Sequence, residues 1–343
     1  MEKFIFSVIG LEHAHIYGMC QSLIRAGAEF KSVYDSDPLK IQAFLKQFPQ
    51  SITAKSEEEI LSDKSVKLIT SAAVTSERCA LGLRVMDSGK DYFTDKGPFT
   101  TLEQLKLARE KVKETNRKYM VCYSERLQNE SAMYAGELIQ RGEIGKVVQV
   151  IGLGPHRLSA KTRPEWFFQK KKYGGILADI GSHQFEQFLY YTGSKDAQVL
   201  SARVDNFNNP DYPELEDFGE VNLIGDSGAS GYIRIDWLTP AGLPVWGDGK
   251  TVILGTEGYI ELRKYINVTV NGSGGNHIYL VNGKGEQYIN ATGKIGEPFF
   301  GKLIEDCINR TETAMTQEHA FKAAELCLIA QNSADKRKEN ISI

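Results

Sequence analysis

Two places in this chain hold side chains whose types and spacing suit chemistry. One is the step Thr94, Asp95, Lys96, Gly97 and Pro98, which follows an apolar run; the other is Asp179 with His183, four positions apart. A lysine at a strand's end brings a positive charge that steadies a developing alkoxide. A histidine, with an ordinary pKa near ~6.5, accepts a proton at neutral pH. Asp179 projects from the same helical face as His183 and binds substrate or orients the imidazole. Together these are the parts needed to take a hydroxyl proton while a hydride leaves the neighbouring carbon. Gly174 and Gly175, just ahead, let the backbone turn closely there. Each feature alone also fits a bland role, a solvated lysine or a surface helix pair.

A second constellation follows the first apolar run. A dinucleotide site places its phosphates on the N-terminus of the first helix, in a loop that normally carries three glycines. Here Gly10 is followed by Leu11, Glu12, His13, Ala14 and His15, so glutamate and histidine stand where the second and third glycines belong. A carboxylate beside a pyrophosphate is repulsive unless it turns away, whereas the two histidines can donate hydrogen bonds to it. Imidazoles are also metal ligands. Alternate residues in a turn with no third ligand nearby favour the phosphate-facing reading, and no metal is expected. Asp35 closes the second strand, 25 positions after Gly10. An acid there suits the hydroxyls of an adenine ribose, and Ser36 offers no arginine for a 2'-phosphate, which favours NAD over NADP. Asp35 with Asp37 ahead of Pro38 also fits a cap on the next helix.

The elements that must position these residues change character along the chain. Residues 4–9 read as a strand buried on both faces, followed by a helix with Ile16, Cys20, Leu23 and Ile24 on one side and Gly27 as its stop. Strands at 30–34, 66–72, 92–94 and 119–123 then alternate with helices from 38, from 56, at 76–88 and at 102–114. This is the pattern of a doubly wound parallel sheet over residues 1–123. From 124 to 343 it gives way to a helix at 131–140, strands at 147–153, 199–204, 220–224, 231–237, 251–254, 259–262, 267–270 and 278–281, and a helix at 179–191. Such a set builds an α+β domain whose mostly antiparallel sheet has helices on one face and an open face for a partner subunit or solvent. A closing helix at 317–336 carries Ala320, Ala323, Cys327, Ala330 and Ala334 as a stripe of small residues, which allows close packing back on the first domain.

Composition excludes several classes. With 41 basic and 44 acidic side chains among 343 residues, and no basic run with interleaved aromatics, there is no footprint for nucleic acid. No stretch approaches membrane-spanning length and the first nine residues do not form a signal peptide, so a cytoplasmic protein is expected. Cys20, Cys79, Cys122, Cys307 and Cys327 are scattered and odd in number, which points to buried thiols rather than disulfides or zinc.

The segments DKGP at 95–98, RGEIGKV at 141–147, GGILADIGSHQFE at 174–186 and GTEGYIEL at 255–262 resemble, in that order, the glucose-fructose oxidoreductase and inositol dehydrogenase family, also called Gfo/Idh/MocA. The similarity spans essentially the whole chain. It implies an N-terminal Rossmann domain that binds NAD or NADP and a second α/β domain that supplies the substrate site and an oligomer interface, hence a homodimer or homotetramer. It places Lys96 near the nicotinamide and the substrate hydroxyl, with Asp179 and His183 as its partners. Gly97, between Lys96 and Pro98, departs from the family's acid-lysine-proline step. Ala73, Val74 and Thr75 stand where the family has a threonine-proline-asparagine turn. The implied cofactor contacts are Gly10, Leu11, His13, His15, Asp35, Thr75, Asp95 and Lys96, and the substrate contacts are Lys96, Asp179 and His183. His156 and Trp166 join the substrate set because aromatic faces and ring donors suit a polyol. The expected activity is a dehydrogenase acting on a sugar, cyclitol or related polyhydroxylated molecule. The family resemblance also leaves an NAD-dependent glycosidase or lyase without net redox change, and Glu12 with the altered 73–75 turn leaves a non-catalytic sensor.

Overall fold

The short β-branched and aromatic runs of the first third do become strands, because helices cover them from both sides. The computed structural model describes residues 3–341 apart from 271 and 273. The chain divides into two units, Met1–Cys122 with Glu297–Phe321, and Tyr123–Gly296 with Lys322–Ile343.

In the first unit the elements alternate: β1 (Ile5–Ile9), α1 (His15–Arg25), β2 (Glu29–Tyr34), α2 (Pro38–Gln47), β3 (Ile52–Thr53), α3 (Glu57–Ser62), β4 (Leu68–Ser71), α4 (Arg78–Asp87), β5 (Asp91–Asp95), α5 (Leu102–Thr115) and β6 (Tyr119–Cys122). The strands lie in the order β3-β2-β1-β4-β5-β6 with every neighbouring pair parallel. The order reverses between β1 and β4, the place where an open parallel sheet leaves a crevice beyond its strand ends. All five residues of β5 are buried, so the strand delivers Asp95 to that edge from inside the core. Local chemistry sets the boundaries. Asp37 accepts a hydrogen bond from the Leu39 amide at 2.8 Å and Pro38 starts α2, while Thr101 caps α5 through the Gln104 amide.

The second unit runs through α6 (Ser124–Leu127), α7 (Glu130–Gln140), β7 (Val147–Pro155), α8 (Lys170–Tyr173), α9 (Ile176–Asp179), α10 (Gly181–Thr192), β8 (Ala197–Asp205), β9 (Phe218–Gly225), β10 (Ser230–Asp236), β11 (Lys250–Gly255), β12 (Gly258–Arg263), β13 (His277–Asn282) and β14 (Gly285–Asn290). Two helices follow, α11 (Pro298–Asn309) in the first unit and α12 (Gln317–Ile341), whose first five residues are grouped with the first unit and the rest with the second. The eight strands are ordered β14-β13-β12-β11-β7-β10-β9-β8, antiparallel except for the parallel pair β7 and β10. Helix α10 packs on β7, β9 and β10. Its approach depends on missing side chains: a Cβ at Gly152 or Gly154 of β7 would come within 2.7 or 2.9 Å of the Gln184 amide group. Leu254, Tyr259 and Tyr288 are exposed on the strands' other side.

Three expectations are corrected. The strand expected at 267–270 is a turn, because the Asn267 side chain accepts from the Thr269 amide and hydroxyl and leaves Val268 and Val270 exposed. The helix expected at 179–191 is two segments, although Ile180 between them keeps helical angles and Asp179 and His183 stay four apart along one winding backbone. Strand β14 was not foreseen, since Gly285, Glu286, Gln287 and Tyr288 are all exposed at the sheet edge and carry no apolar alternation. The small residues of α12, from Ala320 to Ala334, are buried as their stripe suggests.

One buried ion pair secures the helices over the sheet. The Arg126 guanidinium donates twice from Nε to Glu186, at 2.8 and 2.9 Å, both side chains are buried, and the guanidinium lies 3.8 Å over the Tyr190 ring. Arg126→Met removes the cation beside the buried Glu186 carboxylate and is expected to lower the unfolding free energy by about 3–5 kcal/mol, with Arg126→Met/Glu186→Leu recovering part of the loss. Urea unfolding of the variants measures this; equal stability of Arg126→Met and wild type would contradict it.

Candidate active site

In the first unit the loop after β1 is stitched to both neighbouring strands. The Gly10 amide donates to Tyr34 O at 3.0 Å, its carbonyl accepts from the Ala72 amide at 3.1 Å, and the His13 amide donates to Ala72 O at 3.1 Å. Gly10 has φ of +89° and a Cβ there would stand 2.9 Å from the Ala73 Cβ, so the turn requires glycine. Asp35, nearly buried, accepts from the Leu11 amide at 2.6 Å through one oxygen and from the Asp37 amide at 2.8 Å through the other. Helix α2 is thus capped by Asp37, while Asp35 joins the loop to the end of β2. The carboxylate of Glu12 turns to an ion pair with Lys40 on α2. Gly10, Glu12, Asp35, Ser36, Glu57, Glu77 and Arg84 line a cavity of about 420 Å³. Four of these are acids, and Arg84 is already held by Glu57 at 2.7 and 3.1 Å.

Asp95 lies at the centre of the same edge with no exposure. It accepts from His15 Nδ1 at 2.8 Å and from the Lys96 amide at 2.8 Å on one oxygen, and Arg78 Nη2 and His13 Nδ1 stand 3.4 Å from the other. Burial alone would raise its pKa; the charges on His15 and Arg78 outweigh that and hold the carboxyl well below the usual range. His13 behaves oppositely. Burial, and then a charge on His15, push its imidazole well below the ordinary value, and its Nδ1 accepts the His15 amide at 3.3 Å. Arg78 is also buried and donates to Ala73 O at 2.8 Å, to Lys96 O and to Gly97 O at 3.3 Å. It clamps together the 73–75 turn, where Thr75 is buried, and the segment of Lys96, where Gly97 takes φ of +65°. His13, His15 and Asp95 bring three metal-type donor atoms within 4.8 Å of one another. The carboxylate is already engaged by donors, and Arg78 and Lys96 stand beside it, so the surroundings favour an anion over a dication.

In the second unit Asp179 and His183 are both buried, and the His183 ring meets Tyr123 edge-on at 6.5 Å. Burial lowers the pKa of Arg163 and Asp179 opposes that, so the two are electrostatic neighbours. Arg163 lies over Phe167 and Trp237 at 4.6 and 5.0 Å. His156 donates from Nδ1 to Gly154 O at 3.0 Å and its ring packs against Trp246 at 4.4 Å, with Nε2 3.7 Å from Glu125. Trp166 packs with Phe167 and is buried. Three residues escaped the sequence reading. Arg78 gave only the signal of a charge on the apolar side of α4. Glu125 and Lys264, 139 positions apart in the chain, form a buried pair at 2.8 Å that Gln184 joins at 2.9 Å, and no local pattern announces it.

A family model of the GFO/IDH/MocA C-terminal domain matches residues 133–261. Scyllo-inositol 2-dehydrogenase (NAD(+)) of Bacillus subtilis (strain 168) is 27% identical over 286 residues, 80% of this chain and 79% of that protein. Among solved structures, an oxidoreductase from Erwinia carotovora atroseptica SCRI1043 is 52% identical with a TM-score of 0.94, covering 97% of this chain and 99% of that one. Levoglucosan dehydrogenase in complex with NADH and levoglucosan shares the fold at 16% identity and a TM-score of 0.79, covering 97% and 98%.

The buried carboxylates give an acid-side prediction. Burial raises the Glu125 pKa, but Lys264, His183 and His156 outweigh it and bring it down to about 2; Asp95 is likewise depressed. Depressed carboxyls contribute stability that is full above their unfolded values near ~4 and is lost as pH falls through their folded values. The unfolding free energy in urea should begin to fall below about pH 6.5, where unfolded His13 protonates while the folded ring stays neutral, and should fall more steeply below about pH 4; in Glu125→Gln the drop below about pH 4 should shrink by on the order of 2 kcal/mol. An unchanged acid slope in that variant would contradict the assignment.

Proposed function

This chain belongs to the Gfo/Idh/MocA family of oxidoreductases, and on that premise we propose that it oxidises a CH–OH group of a sugar, cyclitol or related polyhydroxylated molecule with NAD. The observation that carries the reading is the edge of the parallel sheet, where a required glycine, a ribose-type acid and a buried acid-lysine step lie together. NAD, when bound, supplies the hydride acceptor. Its adenosine is assigned to the cavity of Gly10 and Asp35, with Leu11 and Thr75 alongside, and its phosphates to the loop of His13 and His15. The acid-rich lining supports NAD over NADP.

The residues proposed for the chemistry are Lys96 in the first unit and Asp179 and His183 in the second. Lys96 Nζ donates to the substrate oxygen and stabilises the negative charge that grows as the hydroxyl proton departs. A ring nitrogen of His183 takes that proton, and Asp179 orients the imidazole or holds a neighbouring hydroxyl. His156, fixed by its bond to Gly154 and backed by Trp246, is assigned to substrate hydroxyls. Trp166 shapes the wall from behind, since its burial leaves it little surface to offer. The exposed side of the eight-stranded sheet is the proposed homo-oligomer interface. Among the described residues no helix is long and apolar enough to cross a membrane. Five buried free cysteines suit the reducing cytoplasm to which we assign the protein.

Purified protein should reduce NAD with at least one member of a panel of inositols, aldoses and anhydrosugars. Lys96→Ala should lose about 10²–10⁴-fold in kcat, and NADP should bind about tenfold or more weakly than NAD. Absence of NAD reduction across the panel, or a Lys96→Ala enzyme as fast as wild type, would overturn the proposal.

A further inference from the structure

Arg163 differs from the other enclosed arginines of the second unit in what its guanidinium leaves unused. Arg126 is spent on Glu186, Arg263 faces Glu261 at 2.8 Å, and Arg157 donates to the carbonyls of Pro240, Leu243 and Val245. Arg163 spends Nε alone, on Leu158 O at 3.0 Å. Among the described residues its two Nη groups meet no hydrogen-bond acceptor and no carboxylate at ion-pair distance. The group lies 4.6 Å over the Phe167 ring and 5.0 Å over Trp237, both of them buried, so aromatic faces stand where water would. Those two rings meet edge-on at 5.3 Å and form a corner that holds the guanidinium in place. The lost hydration lowers its pKa, and Asp179 is the charge that opposes this. A half-buried cation with spare N–H donors, beside an acid assigned to the chemistry, calls for acceptors that the chain does not supply.

We propose that Arg163 binds a carboxylate carried by the substrate, so that the polyhydroxylated molecule is a sugar acid of the aldonate or uronate class. The proposal rests on the dehydrogenase reading above and narrows its substrate. A guanidinium presents paired N–H bonds at the spacing of two carboxylate oxygens, a match that a single neutral hydroxyl does not make. The charges nearby point the same way. Lys264 is matched by Glu125 at 2.8 Å, and Lys170 by Glu216 and Asp335, so neither is left for a ligand. One guanidinium balances one negative charge, which suits a carboxylate better than a phosphomonoester with nearly two. Asp179 repels a second anion, but it acts at longer range than the direct contact with Arg163 and is outweighed by it. Because Asp179 is felt by Arg163 without pairing with it, an acid gripped at Arg163 carries its hydroxyls toward Asp179 and His183. The carboxylate is held and not altered; the oxidation remains loss of hydride from a CH–OH carbon, with NAD as the oxidant.

The test compares sugar acids with uncharged counterparts, using the full chain and saturating NAD: D-glucuronate, D-galacturonate and D-gluconate against D-glucose, D-galactose and the amides of the same acids. At least one acid should exceed its amide in kcat/KM by about 100-fold. Arg163→Met keeps the apolar contact with Phe167 and removes the charge. It should raise KM for that acid by about 50-fold or more with kcat within about threefold, and shift KM for the amide by less than about threefold. Arg163→Lys should recover only part of the loss, since an ammonium lacks the fork. If Arg163→Met is misfolded by circular dichroism, the acid-to-amide ratio of wild type decides alone. Amides used as well as the acids, glucose 6-phosphate preferred to glucuronate, or an acid preference that survives Arg163→Met overturns this inference and leaves the dehydrogenase reading in place. No NAD reduction with any acid, amide or neutral sugar overturns both.

Discussion

A carboxylate with no solvent exposure must be satisfied by protein donors, and Asp95 imposes that condition on the whole edge of the parallel sheet. Its donors come from separate pieces of chain. His15 begins the first helix, Arg78 begins the fourth, and the Lys96 amide lies at its own strand's end. Each must reach the same point, so the loop after β1, the 73–75 turn and the segment carrying Lys96 hold their conformations together. Arg78 extends the constraint, because it also donates to the carbonyls of Ala73, Lys96 and Gly97. Gly97 supports the lysine's backbone: its left-handed turn is the shape that lets both carbonyls face one guanidinium.

The second unit applies the same physics to a different end. Glu125 and Lys264 are a buried pair joined by Gln184, which sits one residue after His183 on a helix brought close by two glycines. Breaking one partner costs more than removing both, since a lone buried charge has nothing to offset its lost hydration. Such networks favour a single arrangement of α10, which bears His183.

The sequence made the fold and the motif residues readable for identifiable reasons. Strands buried on both faces announce themselves as short runs rich in apolar and β-branched residues, so β1, β4, β5 and β6 lie within a residue or two of their expected places. Asp95, Lys96, Asp179 and His183 stood out because charge interrupts apolar pattern there. What stayed hidden depends on distance in the chain. The role of Asp95 as a hub for His15, 80 positions away, and the pairing of Glu125 with Lys264 have no local signature. Edge strand β14 is polar along its exposed residues Gly285 to Tyr288, and the 267–270 segment follows a side-chain hydrogen bond that outcompetes its alternating valines. Glu12 looked hostile to a phosphate by type alone; its pairing with Lys40 becomes visible only when the second helix folds back beside the loop.

The most direct test of this account is the NAD dissociation constant of Asp95→Asn, a change that keeps size and shape while removing the charge. The account predicts a loss of at least about tenfold in affinity with the fold retained by circular dichroism, because His15, Arg78 and the Lys96 amide lose their common anchor. Affinity within about twofold of wild type would contradict it.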